Sequence, residues 1–233
     1  MRICGIISFC LFALLLIARA EKPNIILVYV DDMGYGDASC LNPQAKFKTP
    51  NIDRLAREGM TFTDGHCSDT VCTPSRYGLL PGRYSWRTSL KRGVRGAEGP
   101  CLISNDRMTL ASLLRGHGYS TAMVGKWHLG MNPRKDGPIQ RGFDDFYGTM
   151  TGAGSFWDPY TLTRNTDPID AVEEEGEKYY YTDVIGREAV RQIEAFAKNK
   201  DKPFFQYVAF TAAHWPLRAP EKPIQKYIPR YQG

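Results

Sequence analysis

Cys72-Thr73-Pro74-Ser75-Arg76 sets a cysteine one residue before a Thr-Pro step, with an arginine four residues on. Threonine is a good N-cap and proline suits the first helical position, so the spacing predicts a helix over Ser75–Leu80. Cys72 then stands just outside a helix N-terminus, where free N–H groups and the helix dipole attract an anion. Arg76, one turn on, adds a planar fork suited to a tetrahedral oxyanion. A thiolate in such a place is itself a nucleophile. The plain alternative is a core or disulfide cysteine, with Cys67 as its partner.

Three other stretches bear chemistry. Asp31-Asp32 places two carboxylates side by side. In a partly buried pocket they repel, and a hard divalent cation is the natural counter-charge; a solvated acidic turn or helix cap is the other reading. Lys126 and His128 stand two apart in Gly125-Lys126-Trp127-His128-Leu129-Gly130, and His214 lies in Ala213-His214-Trp215-Pro216. Each alone also reads as an ordinary surface or packed residue. His66 and His117 read as structural. Trp157 and Tyr160 suit either stacking on a sugar face or simple packing.

These groups follow the elements that must position them. Asn24–Val30 is a continuous apolar, β-rich run that reads as a buried parallel strand, with Asp31-Asp32 at its end. Tyr119–Val124 and Phe204–Phe210 are further strands, leading to Lys126 and His128 and to His214. Met60–Thr63 reads as a short strand. Helices are predicted from Thr49-Pro50 to Gly59, from Thr109 to the Gly116-His117-Gly118 turn, and from Thr182, where Ile185, Ala189, Ile193 and Phe196 keep helical spacing. Residues 83–106 and 131–181, the latter with the acidic Glu173-Glu174-Glu175, read as loops. Alternating strands and helices imply an α/β sheet covered on both faces, with ligands beyond the carboxyl ends of the strands.

The net charge of +5 is mild for 233 residues, and no nucleic-acid partner is expected. The basic residues from Arg83 to Arg95 suit either an anionic substrate or a solvated face. Arg2, the apolar run Ile3–Ile17 and Ala18-Arg19-Ala20 read as a signal peptide over 1–20, with no stable membrane anchor. Cys40, Cys67, Cys72 and Cys101 then remain, enough for two disulfides in an exported protein.

The pattern C-x-P-S-R at 72–76 resembles the type I, formylglycine-dependent sulfatases. The V-D-D-x-G-Y-G-D context of Asp31-Asp32, the G-K-W-H-L-G stretch and A-H-W-P are similar to that family in order, from about Pro23 onward. The resemblance implies an alkaline-phosphatase-like α/β fold, a mixed, largely parallel sheet sandwiched by helices, with 21–233 the N-terminal portion of the catalytic domain. It implies that a maturation enzyme oxidises Cys72 to formylglycine, leaving at most one disulfide. Asp31, Asp32 and the converted Cys72 would then hold Ca2+. Lys126 would bind sulfate, His128 would act on the formylglycine hydrate, and His214 would contact sulfate and help the leaving group, with Ser155 as a further substrate contact. The second metal pair and another lysine of that family are not found before Gly233, and Asp144-Asp145 is expected in a loop. The resemblance therefore implies a chain incomplete at its C-terminus, with a half-built calcium site, inactive as it stands.

The activity implied is hydrolysis of sulfate monoesters, on a sulfated small molecule or carbohydrate, by an exported protein (periplasmic or extracellular, or secretory or lysosomal in a eukaryote). A phosphonate or phosphodiester hydrolase of the same superfamily is the alternative enzyme. A non-catalytic fragment that holds sulfated glycans is another reading. A fragment that does not fold stably, because its half-sheet exposes an edge and an apolar face, is a third.

Overall fold

The computed structural model describes residues 21–96, 101–171 and 179–230. The expected signal peptide and Glu173-Glu174-Glu175 lie outside the described residues. Six strands form one sheet: β1 (Ile25–Tyr29), β2 (Ser120–Gly125), β3 (Asp145–Thr149), β4 (Leu162–Arg164), β5 (Asp167–Pro168) and β6 (Phe204–Ala209). Their order is β1-β6-β2-β3-β4-β5, parallel from β1 to β3 and antiparallel beyond. The sheet is thus mixed and mostly parallel. Tyr29, Ala209 and Gly125 fall in one register row across β1, β6 and β2. Because the three strands run the same way, the residues after that row share one edge.

Among the described residues there are five α-helices: α1 (Pro50–Glu58), α2 (Cys72–Leu79), α3 (Leu110–Gly116), α4 (Tyr181–Ala197) and α5 (Glu221–Tyr227). Period-two alternation divides the strands between two cores. Met123, Phe146, Phe205 and Tyr207 face Tyr77, Leu80 and Ala111 of the α2–α3 side. Val124, Tyr147 and Val208 face Tyr181, Val184 and Ile185 of α4. Each such side chain contributes roughly 1.5–3 kcal/mol on burial. The start of α3 is fixed as its sequence predicts: the Thr109 hydroxyl accepts the Ser112 N–H at 3.0 Å. Gly118, at φ 89°, turns the chain into β2.

Several expectations are corrected. β1 is parallel but lies at the edge of the sheet, and Ile26, Val28 and Val30 on its outer face are exposed, since α4 packs on β2, β3 and β6. The apolar face of α1 is open too, with Leu55 66% exposed. Met60–Thr63 is loop rather than strand. The stretch 131–181 holds β3, β4 and β5, and Asp145 opens β3 instead of lying in a loop. The helix at the Thr-Pro step begins earlier, with Val71 as N-cap and Cys72 as its first residue. Thr73 does not cap it because its fully buried hydroxyl turns toward His128 and Arg95.

Candidate active site

The shared strand edge gathers most of the predicted residues. Asp31, two residues past β1, is buried, and its N–H donates to the Ala212 carbonyl at 3.1 Å, which ties this strand end to the chain leaving β6. Arg76 and Lys126 are fully buried beside it. Lys126 Nζ donates to Asp31 Oδ2, and Arg76 Nη2 lies 3.2 Å from the same oxygen. Arg76 Nη1 donates to the Lys126 carbonyl at 2.8 Å, and the guanidinium lies over the Tyr29 ring, 5.3 Å from its centroid. One carboxylate thus balances two buried cations, an arrangement stable only while all three are present. Arg76 Nε makes no hydrogen bond, and Nη2 meets Asp31 only as an ion pair. Burial, and then the Arg76 charge, push the Lys126 pKa below its ordinary value.

Beside this cluster is a cavity of about 370 Å³ lined by Cys72, His128 and His214. Cys72 is half-buried at the first position of α2, within electrostatic reach of Lys126. His128 adopts φ 55°, a left-handed backbone that turns the chain sharply after β2. Its Nε2 lies 3.1 Å from the Arg95 carbonyl, and Thr73 Oγ1 lies 3.4 Å from each ring nitrogen. A carbonyl only accepts, so Nε2 carries the proton and Nδ1 keeps its lone pair. Burial, followed by Lys126 and Arg76, lowers the His128 pKa to about 4. His214 also lines the cavity, its Nε2 3.7 Å from Asp32 Oδ2.

The structure therefore brings Asp31, Arg76 and Lys126 together, and sets Cys72, His128 and His214 around one cavity beside them. Ser155 is placed apart from that cavity: its hydroxyl accepts the Trp157 and Asp158 N–H groups at 3.1 and 3.0 Å and closes a local turn. Cys40, Cys67, Cys72 and Cys101 are all unpaired, and Cys67 sits 3.8 Å from the Tyr29 hydroxyl. Sequence reasoning missed Thr73, Arg95 and Gly152, which surround the His128 ring. Only the three-dimensional approach of loops remote in sequence reveals them.

Asp31 and Asp32 offer the hard carboxylate oxygens that calcium takes. Asp32 is half exposed and left-handed, at φ 56°, which turns its carboxylate away from the buried cations and toward His214. The pair fits calcium as part of a shell: among the described residues no group of three or more His, Cys, Asp or Glu is clustered to hold a metal, and calcium takes about six to eight oxygens.

A family model described as Sulfatase matches residues 23–232. Arylsulfatase J of Mus musculus is 33% identical over 216 residues, covering 90% of this chain and 36% of the relative. A crystal structure of Ps i-CgsB in complex with k-i-k-neocarrahexaose superposes with a TM-score of 0.80 at 30% identity, covering 91% of this chain and 50% of that one. The structure of BT4656 in complex with its substrate D-glucosamine-2-N,6-O-disulfate gives a TM-score of 0.69 at 28% identity, covering 90% of this chain and 38% of that one. The chain thus spans between about a third and a half of the length of these relatives.

Proposed function

Because the chain belongs to the sulfatase family, we propose that it carries the nucleophile, the oxyanion cradle and the two histidines of a hydrolase of sulfate monoesters. Its fold is the alkaline-phosphatase-like α/β fold. One observation carries the reading: Cys72, at the first residue of α2, faces a cavity shared with His128 and His214, beside the buried cations Arg76 and Lys126.

Cys72, converted to formylglycine by a maturation enzyme, supplies the oxygen nucleophile that attacks sulfur. Asp31, Asp32 and the converted side chain would hold calcium, which would supply further positive charge to the sulfate. Arg76 and Lys126 do the same with charges already desolvated and fixed, so no reorganisation is needed as charge moves onto the oxygens. The attacking oxygen is one hydroxyl of the hydrated formylglycine. His128, neutral at any pH well above 4, takes the proton of the other hydroxyl on Nδ1 while Arg95 holds Nε2, so that the C–O bond to sulfate breaks, sulfate leaves and the aldehyde is regenerated. His214, in the same cavity, gives a proton to the departing alcohol oxygen. Phosphoryl esters share this charge logic, so rates on sulfate and phosphodiester probes belong side by side.

The substrate class we propose is a sulfated carbohydrate or small molecule, supported by the sugar ligands of the two neighbours above. We place the protein on the export route, from the apolar leader read in its sequence. No described helix is long and apolar enough to cross a membrane. The test is the mass of the tryptic peptide Glu58–Arg76 from the native host, together with sulfate release by the full-length protein. Aldehyde in place of thiol at position 72, with release lost in Cys72→Ala, supports the scheme. An unmodified thiol in a host that matures other sulfatases points to a glycan-binding role instead.

A further inference from the structure

Away from its reactive end, the cavity has a different character. Val94, Met131, Ala153 and Tyr160 form an apolar wall, and Arg95 is the one lysine, arginine or carboxylate residue in the lining. Its volume of about 370 Å³ suits one ring and its substituents. Tyr160 is 70% exposed at the mouth and offers an aromatic face.

Arg95 is rooted at the reactive end. Its N–H donates to Thr73 Oγ1 at 3.3 Å, and its carbonyl accepts from His128 Nε2 at 3.1 Å. Its guanidinium has little to do in return. Nη1 reaches Ser89 Oγ at 3.5 Å, Nε has no hydrogen-bond partner, and no ion pair forms with any described residue. No described carboxylate pairs with it, and Glu98, three residues on, lies outside the described residues. Such a fork on a fixed stem, beside an apolar wall, suits a carboxylate or a second sulfate. The scissile sulfate is served separately, by Arg76 and Lys126.

We propose that this cavity receives the leaving group, and that it selects a ring with an apolar face bearing a second anionic group, which Arg95 grips. The assignment rests on the sulfatase reading and narrows its substrate class.

The test uses the full-length matured protein and two probes, 4-nitrophenyl sulfate and its analogue with a carboxylate on the ring. The quantity read is the ratio of kcat/KM for the carboxylated probe to that for the plain one. The wild type should prefer the carboxylated probe, mainly through KM. Arg95→Met should lower the ratio roughly 10- to 100-fold, the span of one charge-assisted hydrogen bond, and Arg95→Lys should restore part of it. If Arg95→Met does not fold, Arg95→Gln should show the same loss and Arg95→Lys the same partial recovery. A wild-type ratio at or below one, or a ratio that these substitutions leave unchanged, overturns the inference. Release of sulfate from neither probe, with Cys72 shown to be converted, overturns the sulfatase reading instead.

Discussion

Gly152 is where the geometry of the site can be tested most sharply. A Cβ added there would lie 2.2 Å from His128 Cε1, 2.4 Å from Nε2 and 2.6 Å from Nδ1. Ordinary contact begins near 3.4 Å, so the imidazole must retreat by about 1.2 Å in Gly152→Ala. It has little room, because Arg95 holds one nitrogen, Thr73 flanks the ring, and its backbone is already left-handed. A misplacement of this size at a proton-transferring group costs on the order of 100-fold in rate. The loss should fall on kcat, since Arg76 and Lys126, which grip the sulfate, stay where they are. The assay is steady-state release of nitrophenol from 4-nitrophenyl sulfate by full-length wild type, Gly152→Ala and His128→Ala, with melting temperatures measured in parallel. If Gly152→Ala keeps wild-type kcat while His128→Ala is dead, the glycine does not seat the ring and the reasoning fails. A Gly152→Ala protein that has lost its fold would show the same failure by a different route.

Other outcomes follow from the buried charges and the sheet. Asp31→Asn leaves Arg76 and Lys126 facing each other without a counter-charge, and stability should fall by about 3–5 kcal/mol; a urea midpoint like that of wild type would refute the balance described. His128 binds a proton below about pH 6.5 when unfolded but only below about 4 when folded. The unfolded chain therefore binds more protons in that window, and stability, complete above 6.5, should decline as pH falls to 4, by on the order of 3 kcal/mol. Urea melts at pH 7 and pH 4.5 should show this slope flattened in His128→Asn, and equal slopes would remove His128 as its source. In Gly148→Ala the new Cβ would lie 1.9 Å from the Gly125 carbonyl oxygen. Neither backbone can step aside without parting β2 from β3, so roughly 3 kcal/mol or more should be lost; a change under about 1 kcal/mol in chemical denaturation would contradict it.

The strand ends were legible before any coordinates. Apolar runs closing on Asp31, on Lys126 and His128, and on His214 predict one chemical edge, and the register row Tyr29–Ala209–Gly125 delivers it for the first two. His214, further along its turn, reaches the same cavity. β3 was illegible because Asp145-Phe146-Tyr147-Gly148-Thr149 is short and broken by a glycine, which reads as loop. In the sheet that glycine is what lets β3 approach Gly125. The Thr-Pro step misled for a related reason: capping propensity is local, and Thr73 answers instead to His128 and Arg95, 55 and 22 residues away. β1 looked buried because an apolar run does not say whether both faces find a partner. Arg95 was legible only as one of a run of basic residues; its carbonyl on His128, like the missing Cβ of Gly152, leaves no mark in residue type.

The place of Asp31 on the outermost strand has a dynamic consequence. Among the described residues β1 pairs only with β6, and a strand held along one side is ordinarily the first to fray. Here fraying would draw away the carboxylate that Arg76 and Lys126 share and strand two desolvated cations in the core. Opening at the edge therefore carries an electrostatic penalty set at the centre. In amide hydrogen exchange, Leu27 and Tyr29 should open together with β6 rather than ahead of it. The ion cluster then acts as a latch that makes the most peripheral strand cooperative with the helix that carries Cys72 and Arg76.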